Sequence, residues 1–468
     1  MAYFAGIPFP TLSEDKLSRL RLLNSRIVAS LAHASPNETP DTPTAKAYAE
    51  VRGDYINATL RGLAAASVST ARKTVPDAIY RQGTNGIGIY AKGLQGLYIT
   101  EHNHICRIFV REEWGRIYNT TRQSSMDEFS RTIRELNAHI RSNLMTDCFL
   151  AYEIIDIVST LALELNNRTG EPKQPIAEAL KPIRETAKLS LSKLLENNRD
   201  RIQALTALPQ DGAAVPLTTE TTRRLQEMTG YLTPLTSIMA SLGDGGWSTS
   251  APSASSDSVP TIKSFDVGAD GRQFFAHYSA DTIDTLMTNL ETKGRTLLKT
   301  RGVQGLFMAN NAVIVERMVR SSDLQSFAST IAAKVESWRA KGQSMYLEAW
   351  NEPSKHLLDV QYIKRNDPRP RSGTADSAAI VKSLGSKDKD AIKEKFRSFN
   401  ISFDEMVAKH KSYKMEPEVR EFLARKVQAQ IEPLYGRFWD RYHEIDKGKG
   451  KHVKYDKSQL AIILASLS

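Results

Sequence analysis

The sequence predicts an all-α protein, an elongated rod of stacked antiparallel helical bundles. Three observations carry that expectation. Apolar residues recur at intervals of three and four along most of the chain, and no stretch alternates apolar and polar residues as a half-buried strand does. The segments between are short, polar and punctuated by proline and glycine, which favours antiparallel packing of successive helices. The periodic stretches add up to roughly 18 to 20 helices of ordinary length, too many for one bundle. No motif repeats at a fixed period, so the stack is not a regular solenoid.

At 468 residues and 41% hydrophobic content the chain can bury a large core, divided over several packed units. Its two cysteines, Cys106 and Cys148, cannot build a disulfide framework and point to a reducing, cytoplasmic compartment. Met1-Ala2-Tyr3-Phe4 has neither the charged nor the apolar region of a secretory leader. No window approaches about 18 uninterrupted apolar residues, so membrane contact is expected to be peripheral.

Residues 12–31 form the first expected helix, opened by Ser13 and striped by Leu17, Leu20, Leu23 (or Arg21 or Asn24 on its flank) and Ile27. A second, residues 45–73, carries Tyr48, Val51, Tyr55, Leu60 and Leu63 among helix-favouring alanines, and Val75-Pro76-Asp77 ends it. The glycine-rich run Gly83-Thr84-Asn85-Gly86-Ile87-Gly88 has no buried strand before it and no lysine after it. It reads as a loop or a close helix contact rather than a phosphate cradle. His102, His104 and Cys106 lack a second ligand pair, so no metal is expected there. Residues 114–165 are strongly helical, with Phe129, Ile133, Leu136 and Ile140 followed by Phe149, Tyr152, Ile155 and Val158. Cys148 reads as a small core residue. Helices follow at residues 176–205 and 219–239.

Residues 243–260, rich in serine and glycine, read as a flexible linker and a phosphorylation target. Beyond it come helices at 278–299, through the apolar run 305–315, and at 324–340 and 345–358. Residues 366–376 form a proline-bearing loop. The expected divisions are 1–78, an amino-terminal helical hairpin region; 79–207, a helical bundle; 208–365, a bundle containing the loop 243–260; and 366–468, a basic carboxyl-terminal bundle.

That last region concentrates the charge. From Lys355 to Lys457 there are 24 Lys and Arg against 16 Asp and Glu, a net of +8, while the whole chain carries +10. A solvated helical face explains any single basic run, but charge this localised points to an anionic partner, a membrane surface or nucleic acid. Ile392, Phe396, Phe399, Phe403 and Val407 recur as one helical stripe, with Lys393 and Arg397 on one flank and Lys395 on the other. Pro417 suits the first turn of the next helix, on which Val419, Leu423, Val427, Leu434 and Phe438 form a stripe that Pro433 is expected to kink. Asp456 with Gln459 resembles a capping box before Leu460, Ile463, Leu464 and Leu467. A nucleic-acid-binding or scaffold protein is the alternative use of the same basic patch. It would want aromatics free for stacking, yet Phe396, Phe399 and Phe403 lie on the core stripe. No nucleophile–base pair or carboxylate cluster supports an enzyme, and no cofactor is implied.

Several motifs in order resemble one family. Ile392-Lys393-Glu394-Lys395-Phe396-Arg397-Ser398-Phe399-Asn400 with Phe403, the Pro433…Tyr435…Phe438…Tyr442 spacing and Lys451-His452-Val453-Lys454-Tyr455 look like the seventy-kilodalton subunit of the exocyst, the complex that tethers secretory vesicles to the plasma membrane. Leu306-Phe307-Met308-Ala309-Asn310-Asn311 resembles its Asn-Asn segment. Residues 80–88, Thr146-Asp147-Cys148-Phe149-Leu150-Ala151-Tyr152-Glu153 and Leu180-Lys181-Pro182-Ile183-Arg184-Glu185 are similar to its filamentous-fungal form.

The resemblance implies a helical rod without catalysis that acts at the inner face of the plasma membrane where growth is polarised. It implies binding of phosphatidylinositol 4,5-bisphosphate by the basic carboxyl end, and contact with Rho-family GTPases and other exocyst subunits; no nucleic-acid partner is expected. Carried over residue by residue, the lipid-binding lysines fall on Lys451 and Lys454, with Lys447 next. Lys449, Lys393, Lys395 and Arg397 complete the expected set. Family members usually begin with a long coiled-coil segment, and because the first helix here starts near Leu12 that segment is expected to be missing. Members commonly end in Leu-Phe, where this chain has Leu467-Ser468.

Overall fold

A computed structural model of the protein describes residues 9, 11–34, 42–71, 78–170, 174–248, 271–358 and 377–468. Among the described residues there are sixteen α-helices and no strand, as the periodicity predicts. Residues 249–260 of the serine-rich stretch and the loop 366–376 lie outside the described residues. The chain divides into two compact units, Met1–Leu194 with Gly230–Phe275, and Leu195–Thr229 with Ala276–Ser468.

The first unit holds α1 (Glu14–Ala34), α2 (Pro43–Ala71), α3 (Ile87–Ile108), α4 (Trp114–Ser142), α5 (Leu144–Thr169), most of α6 (Gln174–Gln203) and α8 (Leu232–Leu242). Helix α3 runs antiparallel to both α2 and α4. Tyr48 and Arg52 of α2 reach Glu101 near the end of α3, while Leu60 and Leu63 face Gly93. On the other side Tyr90 meets Phe129 and the Tyr98 hydroxyl meets Ser125 at 2.8 Å. Burial alone would raise Glu101, but the nearby His104 ring and hydrogen bonds from Arg52 and Tyr48 hold it below the ordinary carboxylate range.

Two apolar assignments differ from the expected stripes. Val51 is 67% exposed. Gly53 takes the inward position instead, because a Cβ there would stand 2.8 Å from the Thr121 carbonyl of α4. Close backbone approach selects small residues over hydrophobic ones. Leu23 is half exposed, and the buried neighbour is Asn24, which accepts a hydrogen bond from Thr44. The serine-rich stretch also begins as packed structure, with Trp247 buried.

The second unit holds α7 (Pro216–Met228), most of α9 (Gly271–Leu297), α10 (Arg301–Arg320), α11 (Ala328–Glu348), α12 (Asn351–Lys355), α13 (Ser377–Ser383), α14 (Ser386–Ser412), α15 (Pro417–Tyr442) and α16 (Lys457–Ala465). Helix α10 is the apolar run, buried on nearly every side. It lies antiparallel against α11 so closely that a Cβ on Gly342 would stand 2.6 Å from the Gly305 carbonyl. Both buried amides of α10 are hydrogen-bonded through nitrogen and oxygen alike. Asn310 Nδ2 donates to the carbonyls of Gly212 (2.7 Å) and Lys414 (2.9 Å), and its Oδ1 accepts from Glu416 N. Asn311 donates to Phe307 O and accepts from Val215 N and the Thr218 hydroxyl. The Asn-Asn segment is thus a knot joining two loops to the central helix.

Helices α14 and α15 pack antiparallel through rings: Phe396 on Phe438 at 4.8 Å, Phe399 on Tyr435 at 5.0 Å. Ile392, Phe396, Phe399 and Phe403 are buried as the stripe predicts, and Val407 packs partly buried. On α15 the buried stripe is Val419, Leu423, Val427, Ile431, Tyr435 and Phe438, a strict step of four over most of its length, and Leu434 lies only at its edge. Pro417 occupies the first turn, and α15 continues as one helix through the exposed Pro433. Asp456 and Gln459 form the expected capping box of α16.

Candidate anion-binding surface

The basic carboxyl end is built on α14. Residues four, seven and eleven apart share a helix face, so Lys393, Arg397, Asn400 and Asp404 form one flank of α14 beside its buried stripe. Lys395 is on the other flank, where its Nζ donates to the Leu358 carbonyl. The segment between α15 and α16 lies against the Asn400–Asp404 end of the first flank. Asn400 Nδ2 donates to His452 O at 2.8 Å. Asp404 takes both Lys454, at 2.6 Å, and the Tyr455 hydroxyl. Tyr455 is fixed further by its ring edge on Phe403 and by the Tyr435 hydroxyl donating to its carbonyl at 2.6 Å.

A buried carboxylate closes the loop itself. Asp446 Oδ2 accepts from the backbone N–H of His452 (2.5 Å) and Val453 (3.2 Å), and its carbonyl accepts from Lys449 N. Burial pushes the Asp446 carboxyl upward, but these backbone donors outweigh it and hold it below the ordinary range. Between the closure points, Lys447, Gly448 and Gly450 all take positive φ (47°, 70° and 62°). Glycine accepts this readily, and lysine does so only under restraint.

The seven expected residues therefore have different surroundings. Lys447, Lys449 and Lys451 are exposed and make no side-chain hydrogen bond or ion pair among the described residues. Lys454 is exposed but paired with Asp404, which holds its ammonium above the ordinary lysine value. Lys393 and Arg397 make exposed pairs with Asp390 (3.0 Å) and Glu394 (3.9 Å), interactions of little strength in water. Arg397 stands about 10 Å of helix from Asp404, at a rise of ~1.5 Å per residue. The fold thus places the 447–454 loop and the Lys393–Arg397 flank on one side of α14 and Lys395 on the other. Three residues that organise the surface, Asn400, Asp404 and Asp446, carry no basic charge and were not among the expected site residues. Asn400 closes one of the family-like motifs, where its residue type alone assigns it no role.

The other motifs are structural. The glycine-rich run is clamped by Glu153, whose carboxylate accepts from Gly83 N at 3.0 Å and from the Tyr80 hydroxyl at 2.9 Å, so the 80–88 and 146–153 motifs meet. The Asn85 side chain takes Ser67 O and Ile87 N. His104 Nε2 accepts from Leu12 N, while the His102 ring meets Tyr118 edge-on. Among the described residues no three His, Cys, Asp or Glu side chains are grouped to hold a metal, and neither Cys106 nor Cys148 forms a disulfide there. A cleft of about 440 Å³ beside α11 is lined by Glu291, Arg295, Arg301, Lys341 and Glu348, whose charges pair with one another. No helix among the described residues is long and apolar enough to cross a membrane.

Comparison with known proteins bears on this surface. The family formed by the carboxyl-terminal region of the Exo70 exocyst complex subunit matches residues 84–466. The chain is similar to the exocyst complex protein EXO70 of Gibberella zeae, 51% identical over 463 residues, covering 98% of this chain and 72% of that protein. It is likewise similar to exo70 of Neurospora crassa, 49% identical over 468 residues, covering 99% and 73%. Among solved structures, the crystal structure of the S. cerevisiae exocyst component Exo70p superposes with a TM-score of 0.74 at 18% identity, covering 98% of this chain and 82% of that one. That likeness shows the fold.

Proposed function

The chain belongs to the Exo70 exocyst subunit family, and on that premise we propose that it helps tether secretory vesicles by docking on phosphatidylinositol 4,5-bisphosphate at the inner face of the plasma membrane, at sites of polarised growth. The family is one of structural tethering subunits, not of enzymes. The observation that carries the membrane reading is the loop with Lys447, Lys449 and Lys451 exposed and, among the described residues, unpaired in their side chains. It lies against the Asn400–Asp404 end of the α14 flank that also carries Lys393 and Arg397. Each cation near an anionic surface contributes ~1 kcal/mol, so four to six of them give useful but reversible binding. Reversibility suits a tether. Lys454 adds charge and anchors the loop through Asp404. Contact with other exocyst subunits and with a Rho-family GTPase follows from the family resemblance; we propose both without a surface for either.

The nucleic-acid reading is disfavoured by the aromatics. Phe396, Phe399 and Phe403 are each 0% exposed, so none is available to stack on a base. Sedimentation with liposomes tests the proposal: vesicles carrying phosphatidylinositol 4,5-bisphosphate are expected to take down the protein better than vesicles of equal charge made with phosphatidylserine. Excess nucleic acid is expected to compete poorly. The Lys451→Ala, Lys454→Ala double variant is expected to lose most of the binding at physiological salt while keeping its helicity. Parental binding by that variant would move the membrane face elsewhere.

A further inference from the structure

We propose that Asp446 is the specificity-determining residue of this surface: by closing the 447–453 turn it presents Lys447, Lys449 and Lys451 as a preformed cluster that distinguishes a multiply phosphorylated headgroup from diffuse negative charge. The inference rests on the membrane reading above. Asp446 is itself an anion in the middle of a basic loop, only 8% exposed, and charge complementarity gives no reason for it. Geometry does. Its one oxygen Oδ2 accepts the N–H of both His452 and Val453, which brings the two ends of a five-residue loop together. Three of those five residues are lysines, alternating with Gly448 and Gly450. The loop is held from outside as well, by Asn400 on His452 O and by Asp404 on Lys454. The positive φ of Lys447 is what such closure imposes.

A closed and an open loop carry the same cations. A surface of singly charged lipids reads mainly net charge and treats the two alike. A headgroup with several phosphates concentrates its charge at one point, and binding it requires ammonium groups already near one another. An open loop must lose conformational freedom to gather them, and that loss reduces affinity for this ligand alone.

The whole 468-residue chain is sedimented with phosphatidylcholine vesicles containing either phosphatidylinositol 4,5-bisphosphate or enough phosphatidylserine to match its charge. Asp446→Ala is expected to lower the preference for the first over the second about fivefold, a drop worth one lysine's attraction. Because the substitution removes a negative charge, binding to phosphatidylserine is expected to hold or rise, so the two readouts move apart. Asp446→Asn removes the same charge but keeps a carbonyl oxygen for both N–H groups, and it is expected to retain the preference. Preference undiminished in Asp446→Ala, or lost equally in Asp446→Asn, overturns the proposal while leaving the membrane reading intact. A parent protein with no preference overturns both. Thermal melts accompany each variant. If Asp446→Ala does not fold, Asn400→Ala removes the other hold on His452 and is expected to lower the preference in the same direction; full preference in that variant overturns the inference.

Discussion

His410 and Leu467 are joined across the second unit: the imidazole Nε2 donates to the Leu467 carbonyl at 3.0 Å, and its Nδ1 accepts from the Tyr346 hydroxyl at 2.8 Å. These partners define a neutral imidazole with both nitrogens satisfied, fully buried beside Trp350. The residues that follow α16 are thereby pinned to the end of α14.

The first prediction concerns pH. Burial holds His410 down to about 4, with Arg420 and Lys411 adding to the effect and the Leu467 hydrogen bond opposing it. The unfolded chain titrates near ~6.5. Between these values the unfolded state binds more protons, so the contribution of His410 is fully present above about pH 6.5 and is lost as pH falls toward about 4. The loss is expected to be on the order of 3 kcal/mol at ~1.4 kcal/mol per pH unit. Urea titrations at steps across that window check it, with His410→Gln as the variant whose slope flattens.

Asn310 gives the second. Asn310→Ala leaves the Gly212 and Lys414 carbonyls and the Glu416 N–H without their partner in a buried setting. A cost of about 2–3 kcal/mol is expected, and Asn310→Asp is expected to be at least as harmful because it turns a double donor into an anion facing two carbonyls. Denaturant midpoints of both variants test this.

At the α10–α11 contact, Gly342→Ala is expected to destabilise by about 1–3 kcal/mol, since a Cβ would meet backbone rather than a movable side chain. Gly436→Ala, where nothing lies within 4 Å of the added methyl, is expected to be neutral or mildly stabilising. A pair of melting curves separates them; equal effects would show that the α10–α11 approach is looser than described.

The lysines themselves are not equivalent. The Lys449 side chain is exposed and makes no hydrogen bond or ion pair among the described residues, while Lys395 is half-buried and its ammonium is held by the Leu358 carbonyl on the far flank of α14. Lys449→Ala is therefore expected to weaken binding to phosphoinositide vesicles about fivefold, and Lys395→Ala less than twofold. Raising the salt is expected to shrink the first difference. The reverse ranking would place the lipid face on the Lys395 side.

Helicity, the α14 stripe, the Pro417 start and the Asp456–Gln459 cap were all legible in the sequence. Each rests on spacing along one element: a period near 3.6 fixes which residues share a face, and a cap involves residues three apart. The concentration of positive charge at the carboxyl end is likewise a property of composition. What the sequence could not rank was the lysines within that charge. Whether a lysine is free or paired depends on Asp404, fifty residues before Lys454, and on Leu358, thirty-seven before Lys395. The inward place of Gly53 over Val51 depends on how near α4 comes to α2, and the closure of the basic loop depends on one buried carboxylate, Asp446. Local order follows from short-range sterics and hydrophobic period. Pairing, burial of a polar group and backbone approach are long-range contacts, and the tertiary structure alone decided them.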